Sequence, residues 1–184
     1  MKKTALLLID LQNDYFQGGK WQLNGTEAAT QQAAKLLALF RHTEQPVIHV
    51  RHEFLDKDAA FFTANSEGAK IHSLVSPIEG ETVVLKHQIN SFQHTELKQI
   101  LDQQQIEKLI VAGAMSHICI DAAVRAASDY GYEVSVAQDA CATLDLEFNG
   151  QSVPAAQVHA AFMAALAFGY AEVIDTEELL TQLQ

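Results

Sequence analysis

The sequence predicts an α/β fold: a parallel sheet with helices on both faces. Three observations lead there. Short aliphatic runs alternate with longer stretches of helical periodicity. The alternation covers all 184 residues without a repeat, linker or break in composition, so residues 1–184 read as a single domain. Several of the aliphatic runs are apolar throughout rather than at every second position, as strands buried on both faces must be.

Thr4–Ile9 is the first such run, closed by Asp10, and reads as a central strand. Thr26 is placed to cap an amphipathic helix whose Ala29, Ala33, Leu36, Leu37 and Phe40 share one face. Val47–Val50 is a second strand, restarted by Pro46. Residues 53–80 lack periodicity, and a loop of that length in a compact domain is usually functional. A third strand, Thr82–Leu85, leads into Lys86. A helix follows from Thr95 to about Gln103, then a strand at Leu109–Ala112. The segment after Ser116 is helical and stops at Gly131. Glu133–Ala137 is a fifth strand, followed by Gln138-Asp139-Ala140-Cys141. An alanine-rich helix runs from Pro154 to Gly169, Glu172–Ile174 is a sixth strand, and Thr176 opens a last helix.

Composition removes several classes of function. A formal charge of −11 is spread along the chain without basic clusters, which argues against nucleic acid as a partner. The apolar start is too short for a signal peptide, and nothing approaches a membrane span, so a cytoplasmic location is expected. Two cysteines without CxxC spacing read as reduced thiols.

Asp10, Lys86 and Cys119 each stand just past the carboxyl end of a different strand, where parallel sheets bind ligands. Cys119 lies in the first turn of its helix, where free N–H groups and the helix dipole favour a thiolate. A carboxylate, an ammonium and a thiol suit acyl transfer. Asp10 would take the thiol proton as Cys119 attacks a carbonyl, with Lys86 keeping both anions ionised. The N–H groups of Met115 and Cys119 would hold the oxyanion. Because strands lie about 4.8 Å apart, Lys86 must lean across unless its strand adjoins that of Asp10.

With these residues in place, the chain resembles the isochorismatase-like cysteine hydrolases, which include nicotinamidases and N-carbamoylsarcosine amidohydrolase. The likeness is carried by Leu8-Ile9-Asp10-Leu11-Gln12-Asn13-Asp14-Tyr15-Phe16, by Lys86, and by Gly113 through Tyr132. Asp139-Ala140-Cys141-Ala142-Thr143 and the last long helix add to it. The resemblance implies a three-layer α/β/α sandwich with strand order 3-2-1-4-5-6. It implies an Asp10–Lys86–Cys119 triad, a cis peptide bond between Ala114 and Met115, and a homo-oligomer, dimer or tetramer. No cofactor is implied.

Two departures matter. Nicotinamidases carry a metal-binding Asp-x-His after the second strand, whereas this chain reads His52-Glu53-Phe54. Folding could still gather His52 with His72 or His87, but without Asp-x-His no metal is expected, and Arg51 and His52 become polar substrate contacts. Isochorismatases that cleave a vinyl ether lack the cysteine, so its presence here favours cleavage of a C–N bond in a small amide, ureide or carbamoyl compound. Phe16 and Trp21 are expected at the pocket wall, with Asn90 and His117 as further candidates; Cys141 is read as a core thiol. The alternatives are an isochorismatase-type or metal-aided hydrolase, and a catalytically silent small-molecule binding protein of the same fold.

Overall fold

A computed structural model describes residues 2–183. Its main sheet has six parallel strands: β1 Thr4–Ile9, β2 Val47–His52, β3 Thr82–Lys86, β4 Lys108–Ala114, β5 Glu133–Ala142 and β8 Glu172–Ile174. They lie in the order β3-β2-β1-β4-β5-β8. This is the expected order, with β8 as the sixth strand because β6 (Leu146–Phe148) and β7 (Gln151–Val153) form a separate hairpin. Sequence reading missed that hairpin although its signal was present. Asn149 and Gly150 both take positive φ, the backbone that a two-residue hairpin turn demands.

The two faces of the sheet follow from the strand period of two. On one face, Leu7 and Ile9 of β1 pack with α2 (Leu97–Gln103), α3 (Asp121–Asp129) and α4 (Ala155–Gly169), through Leu101, Val124 and Leu166. On the other, Leu6 and Leu8 meet α1 (Thr26–His42) and α5 (Thr176–Leu183), through Leu36, Phe40 and Leu179. The six-stranded sheet is the middle layer between these two sets of helices, so the three-layer sandwich stands. Phe40 is wholly buried, and cutting it to alanine would cost about 3–5 kcal/mol through lost burial and the cavity left behind.

Three local expectations are corrected. Thr26 does not cap α1. Gly25, at positive φ, is the residue before the helix, and the buried Thr26 hydroxyl donates instead to the Tyr15 carbonyl at 3.1 Å. This ties the loop after β1 to the helix. β5 runs on to Ala142, so Asp139 and Cys141 lie within a strand; the register of β4 against β5 shifts between Val111 and Gly113. Cys119 sits in a wide π-type turn, Ser116–Ile120, and the regular α3 begins only after it. Cys141 is buried in the core cluster, as expected.

No helix among the described residues is long and apolar enough to cross a membrane.

Candidate active site

β1 ends at Ile9, and Asp10 turns the chain with φ +54° while its N–H is held by the Val50 carbonyl at 2.9 Å. On the other side of β1, Gly113 passes so close to Ile9 that a Cβ there would overlap the Ile9 carbonyl oxygen. Its φ of +138° is a second reason for glycine at this point. That close passage brings the turn carrying Cys119 alongside the end of β1. The peptide bond between Ala114 and Met115 is cis, as expected. The Met115 carbonyl accepts from Ile118 and Ile120 at 3.0 and 3.2 Å, which closes the turn around the cysteine.

Lys86 comes from two strands away, about 10 Å at the usual spacing. It does lean across, and the residue it passes is His52. His52 and Lys86 are register partners on neighbouring parallel strands, so their side chains leave the sheet on the same face. The Lys86 ammonium ends among five acceptors: Asp10 Oδ2 at 2.8 Å, His52 Nδ1 and Ile89 O at 3.1 Å, and Gln88 O and Cys119 Sγ at 3.2 Å. Asp10 and Lys86 are fully buried, and Cys119 and His52 nearly so. Beyond the ion pair, the only side chain among the described residues that can give Asp10 a proton is the Cys119 thiol.

Burial decides the protonation states. It raises the Asp10 carboxyl, with Lys86 pulling back only in part. It pushes the Cys119 thiol up to about 12, the nearby Asp10 charge adding to burial and Lys86 opposing both. Lys86 stays above its ordinary value: burial works against its charge, but Asp10 and Cys119 outweigh it. One ammonium and one anion are thus comfortable here, and two anions are not. Asp10 and Cys119 share a single proton, which rests on sulfur. This corrects the expectation of a resting thiolate, since the desolvation of Cys119 exceeds the help available from its turn and from Lys86.

His52 is neutral. Burial first, then the charge of Lys86 and His87, bring it down to about 3. An ammonium can only donate, so His52 Nδ1 accepts from Lys86 and the ring proton sits on Nε2.

The other expected pocket residues separate. Phe16 is buried and stacks on His72 at 3.7 Å between ring centres, within a cluster that includes Tyr15, Phe62 and Met115. Trp21 lies at the rim, stacked on Phe61 at 4.8 Å. Arg51 is bound by Glu53 at 2.6 Å and is not free for a ligand. Asn90 uses Oδ1 to accept from the Phe92 N–H, and no hydrogen bond joins it to the triad. His117 Nδ1 pairs with Thr143 Oγ1 at 2.6 Å.

Two functional residues escaped sequence reading. Gln12, wholly buried, donates to the His52 and Ala69 carbonyls and accepts from the His52 N–H at 2.7 Å, fixing the end of β2. Asp14 accepts from the Phe62 and Lys20 N–H groups and so ties the aromatic loop down. Both stand directly after Asp10, where polar residues follow a buried strand; that was the available signal.

A metal does not fit this centre. Among the described residues, the only group of three or more His, Cys, Asp or Glu donors close enough for an ion is Asp10, His52 and Cys119. The Lys86 ammonium already lies between those three, and a second cation would meet its repulsion.

The comparisons with known proteins give the family. The family model for the isochorismatase domain matches residues 4–178. The isochorismatase family protein YddQ of Bacillus subtilis is 51% identical over 177 residues, covering 96% of this chain and 98% of its own. A crystal structure of an isochorismatase hydrolase from Oleispira antarctica superposes with a TM-score of 0.95 at 63% identity, over 98% of this chain and 97% of that one. Maleamate amidohydrolase of Pseudomonas putida is 31% identical over 152 residues, 75% of this chain and 71% of its own. The chain belongs to the isochorismatase family and is a hydrolase of that family.

Proposed function

We propose that this hydrolase cleaves the C–N bond of a small amide, ureide or carbamoyl compound, with Cys119 as nucleophile. The observation that carries the reading is the convergence of Asp10, Lys86 and Cys119 in one buried centre, with an ammonium 2.8 Å from the carboxylate and 3.2 Å from the sulfur. The resemblance to an amidohydrolase supports the choice of bond.

In the first half-reaction the Cys119 S–H gives its proton to Asp10 as sulfur attacks the carbonyl carbon. The negative charge moves to the carbonyl oxygen, where the Met115 and Cys119 N–H groups receive it. The tetrahedral intermediate collapses, Asp10 returns the proton to the leaving nitrogen, and ammonia or an amine departs. A thioester remains on Cys119. Water then attacks it, Asp10 taking a proton from the water. Collapse releases the acid, and the proton goes back to sulfur. Lys86 stays charged throughout, and its ammonium offsets whichever of the two groups is anionic. The upward shift of Asp10 suits this work, because a carboxylate with a higher proton affinity takes the thiol proton more readily than a strongly acidic one.

An ammonia-release screen over primary amides, ureides and carbamoyl compounds tests the proposal. Cys119→Ala should lose all turnover while keeping the far-UV spectrum. Full activity in that variant would end the reading.

A further inference from the structure

A chain of polar side chains runs inward to the turn that carries the nucleophile. At its outer end Asp175, the residue before α5, accepts from Gln138 Nε2 of β5. Gln138 Oε1 faces His159 Nε2 of α4 at 3.1 Å. His159 Nδ1 lies 2.8 Å from the hydroxyl of Ser116, the first residue of the turn Ser116–Ile120. Ser116 is wholly buried. The chain stops there, one peptide bond from Met115 and three residues before Cys119.

Each bond in this chain has a direction, and the outermost group sets it. A carboxylate only accepts, so Gln138 gives Asp175 its amide N–H and turns its oxygen to His159. That oxygen needs a donor, which places the ring proton on Nε2. Burial holds the His159 ring below its usual value, so it is neutral at pH 7 and carries no second proton. Nδ1 is then an acceptor, and the Ser116 hydroxyl donates to it. The Ala142 carbonyl, 3.3 Å from the same hydroxyl, is the more distant of two acceptors for one proton.

The turn needs such a tie. Its backbone bonds from Ile118 and Ile120 to the Met115 carbonyl close it upon itself without attaching it to other elements. Attachment comes from side chains: Lys86 on the sulfur at 3.2 Å, His117 on Thr143 at 2.6 Å, and Ser116 on His159. Of these three, Ser116 is the one that adjoins Met115. Gln138 and His159 are both partly buried, and an aliphatic pair would hold α4 on β5 without the cost of desolvating an amide and an imidazole. What the polar chain adds is a fixed position and direction for one hydroxyl.

We infer that His159 is a positioning residue for hydrolysis: with its proton on Nε2, it holds the Ser116 hydroxyl, and through it the turn that presents the Met115 and Cys119 N–H groups to the oxyanion. The inference rests on the amidohydrolase reading and deepens it by a residue outside the triad. His159 transfers no proton and touches no substrate. It acts on the placement of the oxyanion donors, where a displacement of about 1 Å costs on the order of a hundredfold in rate.

The test compares wild type with His159→Phe, His159→Asn, Ser116→Ala and the double variant Ser116→Ala/His159→Phe, each shown to be folded by circular dichroism and urea unfolding. Asparagine can present Oδ1 where Nδ1 stands, whereas phenylalanine cannot accept. On an amide found in the screen, His159→Phe should lower kcat by roughly ten- to a hundredfold with KM held within about twofold. His159→Asn should recover most of that loss. A residue that only stabilised the fold would lower the unfolding midpoint and leave kcat of the folded enzyme unchanged. Ser116→Ala should match His159→Phe, and the double variant should lose no more than either, because all three remove the same bond. Wild-type kcat in folded His159→Phe, no recovery in His159→Asn, or losses that multiply in the double variant would overturn the inference.

A second arm needs no turnover. Nitrogen NMR of the His159 ring should show Nδ1 bare and Nε2 protonated. Amide hydrogen exchange at Ile118 and Ile120 should quicken about tenfold in His159→Phe, as the loss of one hydrogen bond allows, and return towards wild type in His159→Asn. A proton on Nδ1, or unchanged exchange, contradicts the inference. If wild type hydrolyses no amide at all, the amidohydrolase reading falls, while the ring proton and the exchange rates still decide whether His159 holds the turn.

Discussion

Replacing Lys86 with methionine keeps a side chain of similar bulk and takes the ammonium out of the buried centre. The cost can be worked from the structure. Asp10 is fully buried, and once its 2.8 Å partner is gone only the weak S–H donor of Cys119 is left to it among the described residues. A bare buried carboxylate is worth about 3–5 kcal/mol of destabilisation, and Asp10 limits that by taking up a proton. An ordinary aspartate titrates at 3.8. Keeping it protonated at pH 7 costs about 1.36 kcal/mol per pH unit over about three units, a ceiling of about 4 kcal/mol. Burial already raises Asp10 in the wild type, so part of this penalty is present before the change. The expected additional loss at pH 7 is about 2–4 kcal/mol.

The sign of the pH dependence follows. The folded value of Asp10 lies above its unfolded value, so the variant suffers least below about pH 4 and loses stability as pH rises towards 7. Urea unfolding followed by circular dichroism at pH 5 and pH 7 measures this. The penalty should shrink by up to about 2–3 kcal/mol at the lower pH. The double variant Asp10→Asn/Lys86→Met, which has no charge to protect, should be more stable than Lys86→Met alone at pH 7. A loss under about 1 kcal/mol at pH 7, or one equal at both pH values, would refute the buried ion pair.

Two further outcomes test the scaffold. Gly113→Ala, which drives a Cβ into the Ile9 carbonyl oxygen at positive φ, should cost about 3 kcal/mol or more in urea unfolding; near-wild-type stability would show that β4 does not pass β1 so closely. Glu81 accepts from Arg41 Nε at 2.6 Å, His49 Nε2 at 2.8 Å and the Ile78 N–H at 3.0 Å. Burial works to raise its carboxyl, but Arg41 first and then the other partners outweigh it and bring it down to about 2. Its contribution is therefore present above its ordinary 4.5 and is lost as pH falls through about 2. Glu81→Gln should cost about 1–2 kcal/mol at pH 7, discounted for the partial exposure of Arg41, and nothing near pH 2.

The parts of the site legible in the sequence were those where one residue closes one element. Asp10 ends an unbroken aliphatic run, Lys86 ends another, and Cys119 follows a strand and a glycine. Each could be placed at the carboxyl edge of the sheet without knowing which strands are neighbours. His52 was legible only as a polar residue after β2. Its position between Asp10 and Lys86 depends on β2 lying between β1 and β3, a fact of strand order that local pattern does not contain. The protonation of Cys119 was misjudged for a similar reason. Its turn was visible in the sequence, but the desolvation that outweighs it comes from layers packed around it from elsewhere in the chain. Arg51 was expected to meet substrate, yet Glu53 two residues on claims it. The β6–β7 hairpin was overlooked although Asn149-Gly150 announced it.

The central claim is that the sulfur of Cys119 becomes covalently joined to the acyl part of the substrate. Acid quenching during turnover of an amide found in the screen, followed by peptide mass spectrometry, addresses it directly. The account predicts the acyl mass on the tryptic peptide 109–125, on Cys119, with Cys141 unmodified and no adduct in Asp10→Asn. Steady turnover with no adduct at any quench time, together with an active Cys119→Ala variant, would contradict it.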